Sequence, residues 1–142
     1  MRRDLLLFDR FGVDRRDRSS ARAVPAAAVA EEQVLREVRR ILNTRSVRPV
    51  DRQGLRCTVL DYGLPDFSHC WPHSEDQASE LAYAIRKTLD AFEPRLKVEN
   101  VHVALPSQQR ASLLAIIGGT LIGGAAPKPV QFAVSIREPL EW

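Results

Sequence analysis

Only two cysteines, Cys57 and Cys70, occur in 142 residues, too few for the disulfide framework of a small secreted scaffold. Methionine occurs only at position 1. No charged n-region is followed by an apolar h-region, so no secretory leader is legible and a cytoplasmic location is expected. Long apolar runs are missing too. The uncharged stretch Ala111–Pro127 is interrupted by Gly118, Gly119, Gly123 and Gly124 and closed by proline. A spanning helix needs about 20 predominantly apolar residues, so a buried strand running into a glycine-rich turn is expected instead, with no membrane insertion. The same glycines do not make a phosphate loop, because Gly124 and Ala125 stand where Lys and Ser/Thr must follow.

Charge of one sign is not in large excess either: 21 basic against 18 acidic residues, a net +3. The balance is uneven along the chain. Residues 1–50 carry 12 basic and 7 acidic side chains, the remainder 9 and 11. Arginines 10, 15, 16 and 18 are interleaved with Asp14 and Asp17, which dilutes any phosphate-attracting field. No aromatic residues follow to stack bases, so no nucleic-acid partner is expected.

What remains is an ordinary globular composition, 44% hydrophobic and 27% charged, in a length that suits one domain. A flexible N-terminal arm is expected over residues 1–24, with an apolar knot at Leu5, Leu6, Leu7, Phe8 and Phe11 that needs a surface to dock on. Residues 25–142 are expected to form one α+β domain. A first helix starts after Pro25 and runs to about Asn43, with Val34, Val38, Ile41 and Leu42 on one stripe. Thr58-Val59-Leu60 reads either as a short strand or as a helical turn, and Gly63 and Pro65 then force a turn. A second helix opens on Ser74-x-x-Gln77, a capping-box pattern, and carries Ala78, Leu81, Ala82, Ile85, Leu89 and Phe92 on one face. Pro94 stops it. The period then changes to two, at Val101–Leu105, Leu113–Ile117 and Val130–Ile136, which predicts a small three-stranded antiparallel sheet after the two helices.

Chemistry-bearing clusters are sparse. His69, Cys70 and His73 with the distant Cys57 fit none of the usual zinc spacings, and a surface loop packed by Trp71 explains them as well. Cys70 beside two histidines lacks an identifiable orienting Asn or Asp. No metal, cofactor or catalytic residue is assigned. Glycoside hydrolysis needs one carboxyl kept protonated, whereas Glu93 stands beside Arg95 and near Lys97, whose charge favours its ionised form. Glu93-Pro94-Arg95 itself reads in two ways. It is either a helix stop or a rigid corner offering a carboxylate and a bidentate guanidinium to a partner.

Four motifs occur in order: LFDRF (Leu7 to Phe11), LNTR (Leu42 to Arg45), YGLPD (Tyr62 to Asp66) and FEPRL (Phe92 to Leu96). Together they resemble the TssE family, small baseplate subunits of bacterial type VI secretion systems, similar to the wedge and sheath-initiator proteins of contractile phage tails. The resemblance runs from Leu7 to about Ile136. It implies a structural protein rather than an enzyme, in contact with the baseplate subunits TssF, TssG and TssK and with the sheath proteins TssB and TssC. Glu93, Pro94 and Arg95 match the family's signature position for position. Phage relatives were long labelled lysozyme-like, which makes a peptidoglycan-cleaving enzyme the alternative. On this reading the partner-binding residues are Glu93, Pro94 and Arg95 at the corner and Leu7, Phe8 and Phe11 in the anchor. Val130, Phe132 and Val134 complete the set, on a strand whose edge can accept a sheath strand.

Overall fold

The computed structural model describes residues 25–48, 58–67, 74–104 and 112–137. The apolar knot with Leu7, Phe8 and Phe11, the metal-like cluster of Cys57, His69, Cys70 and His73, Leu105 and the tail after Arg137 lie outside the described residues.

Two helices and a three-stranded antiparallel sheet make up the described fold. Helix α1 spans Ala26–Leu42 and α2 spans Glu75–Phe92. The strands β1 (Leu96–Ala104), β2 (Ser112–Leu121) and β3 (Lys128–Arg137) lie in the order β1-β2-β3. In α1 the stripe Val34, Val38, Ile41 and Leu42 is buried, as its spacing requires. Ser74 caps α2 through its hydroxyl, which accepts the Gln77 N–H at 3.4 Å, and the inward face Ala78, Leu81, Ile85 and Leu89 is buried. Both helices cover one face of the sheet, meeting Leu96, Val98, Val103, Leu113, Ala115, Ile117, Phe132, Val134 and Ile136 in one core. The other face carries Lys97, His102, Leu114, Gln131, Ala133, Ser135 and Arg137, all exposed.

The sheet departs from the alternation in the sequence at two places. β1 begins at Leu96, five residues before the first clean alternation, because the register with β2 slips between Val98 and Asn100. That bulge puts Glu99 and Asn100 both on the exposed side and breaks the period of two. Gly118 and Gly119 are not the turn that their neighbours suggest. They sit inside β2, opposite Asn100 and Val98, and the turn comes later, over 123–126. A Cβ on Gly119 would run into the Lys97 carbonyl, and one on Gly118 into the Asn100 side chain. The glycine pair therefore lets the bulged strand lie close. Thr58-Val59-Leu60 is a turn rather than a strand, held by Asp61, whose carboxylate accepts the Thr58 N–H at 2.7 Å and its hydroxyl at 3.0 Å.

Candidate interaction site at the corner and the open sheet edge

Three of the four motifs converge. The LNTR segment at the end of α1 runs beside the YGLPD loop. Leu64 N–H donates to the Thr44 carbonyl at 2.9 Å, and Ser46 N–H donates to the Leu64 carbonyl at 2.8 Å. Gly63 makes this approach with φ +104°, a left-handed conformation that glycine adopts without penalty. Tyr62 then reaches across to both helices. Its ring stands edge-on to Phe92 at 5.3 Å, and its hydroxyl donates to Glu37 Oε1 at 2.6 Å. Arg40 takes the other Glu37 oxygen at 2.9 Å. Glu37 is a buried charge, and its pairing with Arg40 and Tyr62 is what makes burial tolerable.

Burial first, and then the Glu37 carboxylate, push the Tyr62 phenol well above the ordinary tyrosine value of 10.0. A group whose folded value is raised contributes stability below its unfolded value and loses it as pH rises past that value. Wild type is therefore expected to lose stability on titration above pH ~10, and Tyr62→Phe to lose that alkaline slope. At neutral pH the variant is expected to be about 1–2 kcal/mol less stable, for the bond lost to a buried charge. Urea melts between pH 7 and 11 check both, and equal slopes in the two proteins exclude this role for Tyr62.

The FEPRL corner follows immediately after Phe92. Glu93 is fully buried and its N–H closes α2 onto the Leu89 carbonyl at 2.8 Å. Its carboxylate does not point outward as a docking group. Arg95 grips it with two parallel bonds, Nε to Oε1 at 2.8 Å and Nη2 to Oε2 at 2.9 Å, and the Arg95 N–H adds a third at 3.2 Å. The expectation of a carboxylate presented to a partner is thus corrected for Glu93, since an intramolecular fork–fork pair uses both of its oxygens. Pro94 is exposed and the Arg95 side chain keeps 26% of its surface. The corner shows these two residues while Glu93 fixes their angle.

Val130 is half-buried, and Phe132 and Val134 point into the core, so the latter two can meet a partner only through the strand's main chain. Odd-numbered positions of β3 face away from β2: the Ser135 carbonyl and the Arg137 N–H and carbonyl are bonded from outside the sheet, by Asn43 and Arg45. Pro129 fits the same phase, because a proline at an outward position costs the ladder nothing. Among the described residues, none is seen to bond the outward main chain of Gln131 or Ala133. A shallow groove crosses the sheet beside this stretch, over Gly118 and Gly119, between Glu99 and Asn100 on one side and Pro129 and Gln131 on the other. The opposite edge is irregular at its start, where β1 is bulged between Val98 and Asn100 and Arg86 of α2 donates to the Val98 carbonyl at 3.4 Å, two devices that blunt that part of the edge.

Residues 28–125 match the family of the baseplate wedge protein gp25. The chain belongs to the gp25 family. Two solved structures share its fold. One is a Geobacter sulfurreducens protein named "putative tail lysozyme", with a TM-score of 0.54 and 18% identity over 78% of this chain and 95% of that one. The other is a chain of "the baseplate complex from the type VI secretion system", with a TM-score of 0.55 and 21% identity over 80% of this chain and 99% of that one. No curated protein matches the sequence. The match places this gp25-family chain among structural baseplate subunits, so its partners are to be sought among other baseplate subunits. Among the described residues no helix is long and apolar enough to cross a membrane, and no group of three His, Cys, Asp or Glu could hold a metal ion.

The sequence reading missed Glu37 and held Asn43 and Arg45 only as members of the LNTR motif. A charged residue on the buried stripe of α1, one turn before two arginines, was the available signal for Glu37. For Asn43 and Arg45 the LNTR motif gives a position but no partner, since their partners lie 92 to 94 residues away.

Proposed function

We propose that this chain is a TssE-type subunit of a type VI secretion baseplate in the cytoplasm, built to dock on wedge subunits and to start the contractile sheath. The observation that carries the reading is the regular β3 edge of a gp25-family domain, whose outward Gln131 and Ala133 main chain no described residue is seen to bond. An extended strand from a sheath protein of the TssB–TssC pair adds to that edge, with main-chain bonds supplying affinity. The corner, through exposed Pro94 and the outer side of Arg95, meets the wedge partners TssF, TssG and TssK. The Leu7, Phe8 and Phe11 anchor adds an apolar contact to the same neighbours.

The lysozyme reading has less support. Glu93, the carboxylate it relies on, is buried and fully engaged by Arg95, so a glycan cannot reach it, and no second carboxylate faces it in a cleft among the described residues. Co-expression with TssF, TssG, TssK, TssB and TssC tests the proposal. The wild-type chain is expected to capture these subunits and to release no fragments from peptidoglycan. Peptidoglycan turnover without capture would replace the structural reading with the enzymatic one.

A further inference from the structure

Asn43 sits against β3 in a manner unlike an ordinary surface side chain. Its Nδ2 donates to the Ser135 carbonyl and its Oδ1 accepts the Arg137 N–H, both at 3.1 Å. Those two groups flank Ile136, and they are the pair that one residue of a parallel neighbouring strand would bond through its own N–H and C=O. A carboxamide has the same donor and acceptor as a peptide unit. Arg45 continues the pattern by donating Nη2 to the Arg137 carbonyl at 2.9 Å, while its guanidinium lies 4.4 Å over the Phe67 ring, which holds it there. Asn43 is itself fixed, with Nδ2 also reaching the Arg39 carbonyl at 3.0 Å.

We infer that Asn43, backed by Arg45, is a register stop on β3: a side-chain stand-in for a strand residue that closes the last pairing positions of the edge. The inference rests on the reading that a sheath strand adds to β3. At the other end Pro129 offers a carbonyl but no N–H. An incoming strand is thereby confined to the segment from the Pro129 carbonyl to the Ser135 N–H, with the Gln131 and Ala133 main chain at its centre. A strand on an open edge is free to slip by two residues and keep its faces. A stop at Ser135 removes that freedom, so a short edge delivers one docking position rather than several.

The test is amide hydrogen exchange on the full chain, alone and in complex with the co-expressed TssB–TssC pair, for wild type, Asn43→Ala and Gln131→Pro. In free wild type the Arg137 amide is expected to exchange slowly and those of Gln131 and Ala133 fast. Complex formation should slow Gln131 and Ala133 and leave Arg137 unchanged. In Asn43→Ala the free Arg137 amide should exchange roughly three- to ten-fold faster, and the complex should now slow it as well, because the strand extends or slips past Ser135. Should Asn43→Ala not fold, Asn43→Gly takes its place, since glycine suits a helix end. If protection in the variant complex still stops at Ser135, the stop is not Asn43 and the inference is overturned. Gln131→Pro removes an outward N–H without touching the β2 ladder, and it should abolish capture of the pair. Undiminished capture by folded Gln131→Pro, or no capture by wild type, overturns the edge reading itself, and the stop with it.

Discussion

Arg95→Ala is expected to destabilise the chain by about 3–5 kcal/mol, the cost of leaving a buried carboxylate without its cation. At this chain length that corresponds to a fall of roughly 10–20 °C in Tm. Glu93→Ala should cost less, about 1–3 kcal/mol. The asymmetry follows from exposure. Arg95 keeps 26% of its side-chain surface and can rehydrate when its partner goes, whereas Glu93 has 0% and cannot. Both variants lose the same fork–fork pair, so a larger loss for Arg95→Ala reports the desolvation of the surviving carboxylate against the packing lost at Glu93. Thermal and urea melts of the two proteins decide the matter. Equal losses, or a larger loss for Glu93→Ala, would mean that the pair is not the buried clamp described here. Partner capture by Arg95→Lys, which keeps the charge but not the fork, then separates holding the corner's angle from direct contact with a neighbour.

The second large effect is expected at Gly63. Alanine there has to adopt φ +104° and to place its Cβ against the Thr44 carbonyl, the group that accepts the Leu64 N–H. Strain and the displaced loop together should cost about 2–4 kcal/mol. Gly123 is the internal control. It has a similar φ of +98° but nothing within 4 Å of an added Cβ, so Gly123→Ala should cost only about 1 kcal/mol. A matched pair of urea midpoints measures the difference. If the two alanines cost the same, the close approach of the YGLPD loop to the LNTR segment contributes nothing beyond backbone conformation.

How far these features were legible in the sequence depends on how local their causes are. Both helices, their buried stripes and the Ser74 cap come from spacings of three or four residues, which a sequence shows directly. The buried positions of β2 and β3 follow from the period of two in the same way. β1 was only half legible, because the bulge at Glu99 exists to fit Gly118 and Gly119 on another strand. Those glycines looked like a turn because nothing local tells a turn glycine from one that admits a neighbouring carbonyl. The corner was legible as a stop and a charge pair, but not as an internal clamp. The sequence does not show that the Arg95 guanidinium folds back onto Glu93 and takes both carboxylate oxygens inside the chain. Asn43 and Arg45 were legible only as part of a motif, since their work is done on the far end of the chain.

The two unequal sides of the sheet set a valency. On the proposed reading a docked strand takes the β3 edge, between Pro129 and Ser135, while the start of β1 is bulged and bonded by Arg86, so each copy holds one foreign strand. A subunit that pairs through one edge alone ends a row of strands rather than sitting inside one, whereas a fibre needs a donor and an acceptor edge on every unit. With one strand docked per copy, as proposed, the number of foreign strands held equals the number of copies present, and an assembly that needs a fixed count of starting points obtains it by fixing how many of these subunits it admits.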